Sequence, residues 1–111
     1  MKTMATIEQD RPIFTLINTF TVEQEKQQAI VDSLTEITER LMQHLPGFIG
    51  SSVHRSLDGK HVANYVQWEN IADFQAMFQN PDAAVHMAEV SSLATSVLPI
   101  IYTVAYVGAA K

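Results

Sequence analysis

An asparagine and a tryptophan near the middle of the chain are the first residues whose types and spacing could do chemistry. Val62, Asn64, Val66 and Trp68 alternate along a predicted strand, so their side chains share one face. Amide and indole N–H groups that are fixed in a dry pocket can stabilise an oxyanion as it develops. A structural role stays open for both residues, because Asn64 can bond a neighbouring loop and Trp68 can fill the core with its N–H on a carbonyl.

Asn18 and His86 are two further candidates for catalysis. Asn18 interrupts an apolar strand face, which is costly unless its amide finds a partner. His86 shares a helical face with Val90 and Leu93, and an imidazole that titrates near neutral pH suits a general base. The structural alternatives are a satisfied amide for Asn18 and a core-edge histidine for His86.

Three more side chains are predicted to contact a substrate. His54 lies on the alternation of Phe48 in a predicted strand, and Phe74 and Phe78 occupy apolar positions one helical turn apart. The sequence contains no cysteine, no Gly-rich phosphate loop, no HExxH motif and no pair of histidines at ligand spacing. We therefore predict neither a metal site nor a cofactor.

Apolar spacing predicts the first two elements that must position these side chains. Residues 13–20 are β-branched or aromatic on both alternating faces, which predicts a strand buried on both sides. Thr21 and Gln24 form the pattern of a capping box. The helix that follows is predicted to run to about Leu45, where a Pro-Gly pair ends it.

Turn and capping residues divide the rest of the chain. The predicted elements are strands over 48–57 and 60–68 joined at Asp58-Gly59, a helix capped by Asn70 and broken at Asn80-Pro81, its continuation to about Thr95, and a strand over 100–107. The order β-α-β-β-α-β, with the second helix broken, predicts a ferredoxin-like fold of the α+β class. The helices would cover one face of the sheet. The other face, with Ile13 and Ile17, needs a second copy of the chain as its cover, so we expect a homodimer.

Length, charge and composition limit the possible functions. The 111 residues are predicted to form one domain over 12–111 behind a mobile polar arm over 1–11. The net charge is −5 and the basic residues do not cluster, which argues against a nucleic-acid partner. No apolar run approaches the roughly 20 residues of a membrane span. Because the N-terminus lacks the apolar segment of a signal peptide, we expect a cytoplasmic protein with no membrane partner.

The segment DGKHVANYVQWEN (Asp58–Asn70) resembles the antibiotic biosynthesis monooxygenase family. Within that family it is most similar to the small cofactor-independent oxygenases that convert polyketide anthrones to quinones. The likeness covers nearly the whole chain, and it is carried by Asn18, Pro46-Gly47-Phe48, the Asp-Gly hairpin, Asn64-Tyr65 and Gln67-Trp68.

The resemblance implies a dimeric α+β barrel with a pocket between sheet and helices. In those oxygenases the counterparts of Asn18, Asn64 and Trp68 line this pocket. Where the relatives carry an arginine in the last helical segment, this chain has His86. The resemblance also implies that the protein binds a small aromatic substrate and O₂.

The chemistry that the resemblance implies needs few protein groups. Without a metal or flavin the substrate itself must reduce O₂, so the enzyme binds an electron-rich phenol, anthrone or quinol, removes a proton and stabilises the anion. One alternative is haem degradation, in which His86 would be an axial ligand, although the helix tryptophan of those enzymes falls near Met77 here. Another is a non-catalytic dimeric domain that binds a small apolar molecule.

Overall fold

The computed structural model describes residues 4–9 and 11–111, and within them four strands form one antiparallel sheet. The strands are β1 (Phe14–Thr21), β2 (Phe48–Arg55), β3 (His61–Trp68) and β4 (Ser96–Tyr102), in the spatial order β2-β3-β1-β4. The same residues form three α-helices: α1 (Gln27–Arg40), α2 (Ile71–Met77) and α3 (Pro81–Leu93). This arrangement is the ferredoxin-like α+β fold that the element order predicts.

The predicted junctions form at the expected residues. Gly59 in the β2–β3 hairpin has φ 77° and Gly47 before β2 has φ 79°, in the left-handed region that favours glycine. The Asn70 side chain accepts a hydrogen bond from the backbone N–H of Asp73 at 2.8 Å and so caps α2. Asn80 caps α3 in the same way, directly before the proline that begins that helix.

The start of α1 differs from the prediction. Thr21 is the last residue of β1, and Gln24 begins a short 3₁₀ turn (Gln24–Lys26) before the helix. The Gln24 amide donates to the backbone oxygen of Asp58 at 3.0 Å, so its side chain ties the turn to the β2–β3 hairpin. The predicted capping box is therefore wrong. The other end of the helix is a second 3₁₀ turn (Met42–His44), which leads to the predicted exit.

The last strand lies earlier in the sequence than predicted. It covers Ser96–Tyr102 rather than 100–107, and it lies at the edge of the sheet, where it pairs with β1. An edge strand tolerates Pro99, because proline lacks a backbone N–H and an edge strand forms a hydrogen-bond ladder on one side only. Residues 103–111 include the β-formers Val104, Tyr106 and Val107, but they lie outside β4, because β-propensity alone does not determine which residues find a neighbouring strand.

Side chains alternate between two faces of the sheet. The cavity face, which the helices cover, carries Phe14, Leu16, Asn18 and Phe20 of β1 and Val62, Asn64, Val66 and Trp68 of β3. The second face carries Thr15, Ile17, Thr19, Ala63, Tyr65 and Gln67. On β4 the second face adds Leu98 and Ile100, which are exposed.

Residues 4–9, which we call the arm, lie against one end of the second face. There Gly50, Gln67, Thr15 and Tyr102 form a row across all four strands. The arm contacts this row through hydrogen bonds between Thr6 and Gln67. The mobility predicted for residues 1–11 stays a prediction. In the described ranges of the chain, no helix is both long enough and apolar enough to cross a bilayer.

Candidate active site

A cavity of about 230 Å³ lies between the cavity face and the helices. All four strands and all three described helices contribute to its lining, which is mostly aliphatic, aromatic or methionine. Its exposed lining residues include Phe78 and Met87. The residues of the lining that carry polar atoms on their side chains are Asn18, Thr38, Ser51, Asn64, Trp68, His86 and Ser91. A few polar groups in an apolar cavity are typical of a small-molecule site.

Asn18 and Asn64 lie directly opposite each other on β1 and β3. Along these strands they separate two apolar clusters, one built on Phe14, Leu16, Val66, Trp68 and Met77 and the other on Phe20, Val22, Ile30, Leu34, Val62 and Val90. Two amides therefore occupy the seam of the core, where apolar side chains would otherwise meet. Because an unbonded amide among apolar residues lowers stability, the position of these two amides favours a role for them in ligand binding.

Three of the lining residues carry a buried polar atom that has no hydrogen-bond partner in the described part of the chain: Asn64 Oδ1, Trp68 Nε1 and His86 Nε2. We call these the three orphan atoms. The residues are 7%, 1% and 5% exposed, respectively. A buried polar group without a partner costs about 1–3 kcal/mol, and such groups are few in native proteins. Three around one cavity indicate a site built to bind polar atoms of a ligand.

Aromatic rings surround Trp68 and form one wall of the cavity. Its ring centroid lies 5.6 Å from that of Phe48, with the planes at 86°, and 6.0 Å from that of Phe74. Phe74 in turn contacts Phe78 edge-on, with centroids 5.1 Å apart. Edge-to-face contacts of this kind fix ring orientations. The indole is thus held in place on the cavity side of β3.

His86 is positioned by α3, on the face of that helix that carries Ala83 and Val90 into the core. Burial lowers the pKa of the His86 imidazole below its ordinary value of 6.5, because desolvation disfavours the imidazolium. The carboxylates of Glu89 and Glu36 act against this shift, and the Arg40 guanidinium adds to it. The ring is therefore neutral near pH 7 and can accept a proton.

The structure brings together six of the seven predicted site residues: Asn18, Asn64, Trp68, His86, Phe74 and Phe78 all line the cavity. Their catalytic and binding roles remain predictions. His54 does not join them. It is exposed, lies on the second face, and its Nε2 is 2.9 Å from the Ser52 hydroxyl.

A β-bulge explains the position of His54. The register of β2 against β3 shifts between Phe48 and Gly50, and a bulge reverses the alternation of every residue beyond it. Phe48 therefore faces the cavity as predicted, but Ser51, Val53 and Arg55 take the register positions that simple alternation gives to Gly50, Ser52 and His54. The glycine inside the strand was the available signal for the bulge.

Sequence reasoning also missed Thr38 and Met42 as lining residues. Thr38 lies one residue after the buried Ile37 of α1, and Met42 lies in the 3₁₀ turn that follows the helix. A helical stripe identifies the centre of a buried face but not its border, so such residues carry no clear signal. Within residues 4–9 and 11–111 no three His, Asp or Glu side chains lie close enough together to hold a metal ion.

The fold and cavity define a class: a small ferredoxin-like enzyme domain with a largely apolar pocket between sheet and helices. The family model for antibiotic biosynthesis monooxygenase matches residues 13–89. The chain therefore belongs to the antibiotic biosynthesis monooxygenase family, as the sequence resemblance predicts.

Individual relatives agree with this assignment. The chain is 46% identical over 83 residues to tetracenomycin-F1 monooxygenase of Streptomyces glaucescens, which covers 75% of this chain and 74% of the relative. The structure of this chain also matches that of a monooxygenase from the gene ActVA-Orf6 of Streptomyces coelicolor in complex with nanaomycin D. The TM-score is 0.77 and the identity 28%, and the match covers 91% of this chain and 93% of that chain. These relatives confirm the prediction that the chain is a monooxygenase.

A third relative shares the fold. SnoaB, a cofactor-independent oxygenase from Streptomyces nogalater, superimposes with a TM-score of 0.69 at 17% identity, over 86% of this chain and 96% of that chain. At this identity the likeness concerns the architecture alone.

Proposed function

We propose that the chain is a cofactor-independent monooxygenase that oxidises an electron-rich aromatic polyketide, an anthrone or quinol, with O₂. The observation that carries the proposal is the set of three orphan atoms around one apolar cavity. The names of two relatives support the substrate class, because one acts on tetracenomycin F1 and the other is bound to nanaomycin D.

The proposed reaction starts with loss of a proton from the substrate. His86, neutral because burial lowers its pKa, accepts this proton at a ring nitrogen. The electron-rich anion then reduces O₂, a C–O bond forms, and the resulting peroxide anion takes the proton back from His86 to give a carbon hydroperoxide. Its O–O bond breaks with loss of the remaining hydrogen on that carbon, so a CH₂ group and O₂ become a carbonyl group and water.

The other lining residues bind and orient the anion. The Trp68 indole N–H and the Asn64 Nδ2–H donate hydrogen bonds to the substrate oxygen on which charge develops, and the orphan Oδ1 of Asn64 accepts a hydrogen bond from a substrate hydroxyl. Asn18, directly across the sheet from Asn64, adds a second amide at the same level. Phe74 and Phe78 contact the aromatic rings of the substrate and limit access of water.

The proposal includes a homodimer in the cytoplasm. Leu98 and Ile100 on the second face are 57% and 39% exposed, and Ile17 lies beside Ile100 in the sheet register. A second copy packed on this patch would bury it. Light scattering should give about twice the chain mass of 12.4 kDa, and Ile100→Asp should reduce it to one chain. A monodisperse 12.4 kDa wild type would contradict the dimer.

The experiment that tests the activity is turnover without cofactors. Protein that has been exhaustively chelated and freed of flavin should convert an anthrone to the quinone and consume one O₂ per substrate. Activity that appears only after a metal or flavin is added would refute the cofactor-independent reaction.

Haem titration separates this proposal from haem degradation. If His86 were an axial ligand, one equivalent of haem per chain would give a defined Soret band, and His86→Ala would abolish it. Reductant-dependent loss of that band would then favour haem degradation. We expect no stoichiometric band that depends on His86.

A further inference from the structure

The arm is held by a residue that directly precedes Trp68. Gln67 is 0% exposed, and its side chain lies on the second face, opposite the indole of its neighbour. Its Oε1 accepts from the backbone N–H of Thr6 at 3.0 Å, and its Nε2 donates to the backbone oxygen of Thr6 at 2.6 Å. One side-chain amide thus holds both backbone groups of one arm residue, as a neighbouring strand would.

Gly50 allows the arm to lie this close to the sheet. It is opposite Gln67 in the β2–β3 register. A Cβ atom on Gly50 would lie 2.5 Å from the backbone nitrogen of Ala5, so any other residue here would push the arm away. Gly50 also ends the bulge that turns Ser51 toward the cavity, beside Phe48.

The arm and the aromatic wall of the cavity are therefore back to back. Trp68 and Phe48 pair across β2 and β3 on the cavity face, with ring centroids 5.6 Å apart. Gln67 and Gly50, the residues that the arm covers, pair across the same two strands on the second face. One layer of β-sheet separates the arm from the indole.

We propose that the arm braces Trp68 from behind, with Gln67 and Gly50 as positioning residues for the indole. Loss of the arm contact frees the end of β3, loosens the Trp68–Phe48 contact and moves one of the three orphan atoms from its working position. The kinetic part of this proposal rests on the proposed function, but the structural part does not.

Trp68 is the only tryptophan in the chain, so its fluorescence reports the structural part directly. Thr6→Pro removes the backbone N–H that donates a hydrogen bond to Gln67 Oε1. The substitution lies 61 positions from Gln67 in sequence. Thr6→Ala is the matched control, because it keeps that N–H and removes only the hydroxyl. We expect a red-shifted emission for Thr6→Pro, as water approaches the indole, and an unchanged emission for Thr6→Ala.

Gly50→Ala reaches the same contact from the sheet side. It leaves the arm sequence intact but displaces its backbone. We expect the same red shift, and we expect the double variant Thr6→Pro/Gly50→Ala to show no more than either single variant, since both break one contact. In turnover, each single variant should lower kcat by about tenfold, less than the roughly 10²-fold that a misplacement of 1 Å can cause, with a smaller change in KM.

The outcomes are distinct. Unchanged emission in both Thr6→Pro and Gly50→Ala, with native circular dichroism, would overturn the proposal whatever the activity of the wild type. Additive shifts in the double variant, or a loss of fold in both single variants, would also count against it, because the arm would then act on the whole domain rather than on Trp68. A red shift in both variants, together with a wild type that shows no turnover, would instead refute only the proposed function.

Discussion

Trp68 and Gln67 are neighbours in sequence, both are almost fully buried, and yet they use their polar atoms in opposite ways. Trp68, on the cavity face, keeps its indole nitrogen as one of the three orphan atoms, whereas Gln67, on the second face, bonds both ends of its amide to Thr6. Thr15, the other buried polar residue of the second face, lies 3.4 Å from the Tyr65 hydroxyl. Burial alone therefore does not identify a functional polar residue in this fold. Lack of a partner does.

The largest effect is expected for His86, the proposed base. His86→Ala should lower kcat by about 10²-fold or more, because general-base catalysis contributes about 10²–10⁴-fold. His54→Ala is the matched control, since that histidine lies on the second face away from the cavity. Steady-state turnover measures both. An equal loss of kcat in His86→Ala and His54→Ala would contradict a catalytic role that is confined to the cavity face.

The two faces should differ most clearly in stability. Gln67→Leu removes two hydrogen bonds to Thr6 and should lower the free energy of unfolding by about 2 kcal/mol. Asn64→Leu removes an orphan atom at nearly constant volume, so its stability should stay within about 1 kcal/mol of the wild type or rise. Urea denaturation measures both values. A larger loss for Asn64→Leu would mean that its amide is structurally bonded.

Removal of single polar contacts in the cavity should have moderate kinetic effects. We expect Asn64→Ala and Trp68→Phe each to reduce turnover of an anthrone or quinol by about tenfold, which is about 1.4 kcal/mol of transition-state stabilisation. Both variants should keep the native circular dichroism. Wild-type rates in both would return these residues to a purely structural role.

The smallest effect is a pH dependence that comes from His86. Its folded-state pKa lies below the ordinary 6.5 because of burial, so as pH falls below 6.5 the unfolded chain binds a proton that the folded chain does not. His86 therefore leaves the free energy of unfolding unchanged above pH 6.5 and lowers it as pH falls toward the folded-state pKa. His86→Gln should show a shallower decline between pH 8 and pH 5 in urea denaturation. A steeper decline would contradict the sign. The acid limb of kcat/KM, which reports the free enzyme, should likewise lie below pH 6.5.

Alternation along strands accounts for what the sequence could predict about the site. Asn64 and Trp68 share a face because β3 is regular from His61 to Trp68, and Asn18 joins them because β1 and β3 pair without a register shift. The turns were equally readable, since Gly47 and Gly59 need positive φ and Asn70 and Asn80 cap helices. Each of these signals is local in the chain.

The errors lie where tertiary contacts decide the structure. The bulge before Gly50 moved His54 to the second face, and the contact of Gln24 with the hairpin replaced the capping box. The Gln67–Thr6 pair joins residues 61 positions apart, and no pattern of periodicity could reveal it. The position of β4 depends on which residues reach the open edge of β1, and propensity does not determine that.

The close approach at Gly47 has a consequence for enzyme engineering. A Cβ atom on this residue would collide with the Asp73 side chain at the start of α2, so the glycine sets how near that helix lies to the sheet. Because α2 and its C-cap carry Phe74 and Phe78 over the cavity, this distance also limits the thickness of a bound molecule. Gly47→Ala alone would push the Asp73 side chain and α2 away from the sheet and so make room for thicker polycyclic substrates without any change to the orphan atoms, but it places an alanine at φ 79° and therefore also lowers stability.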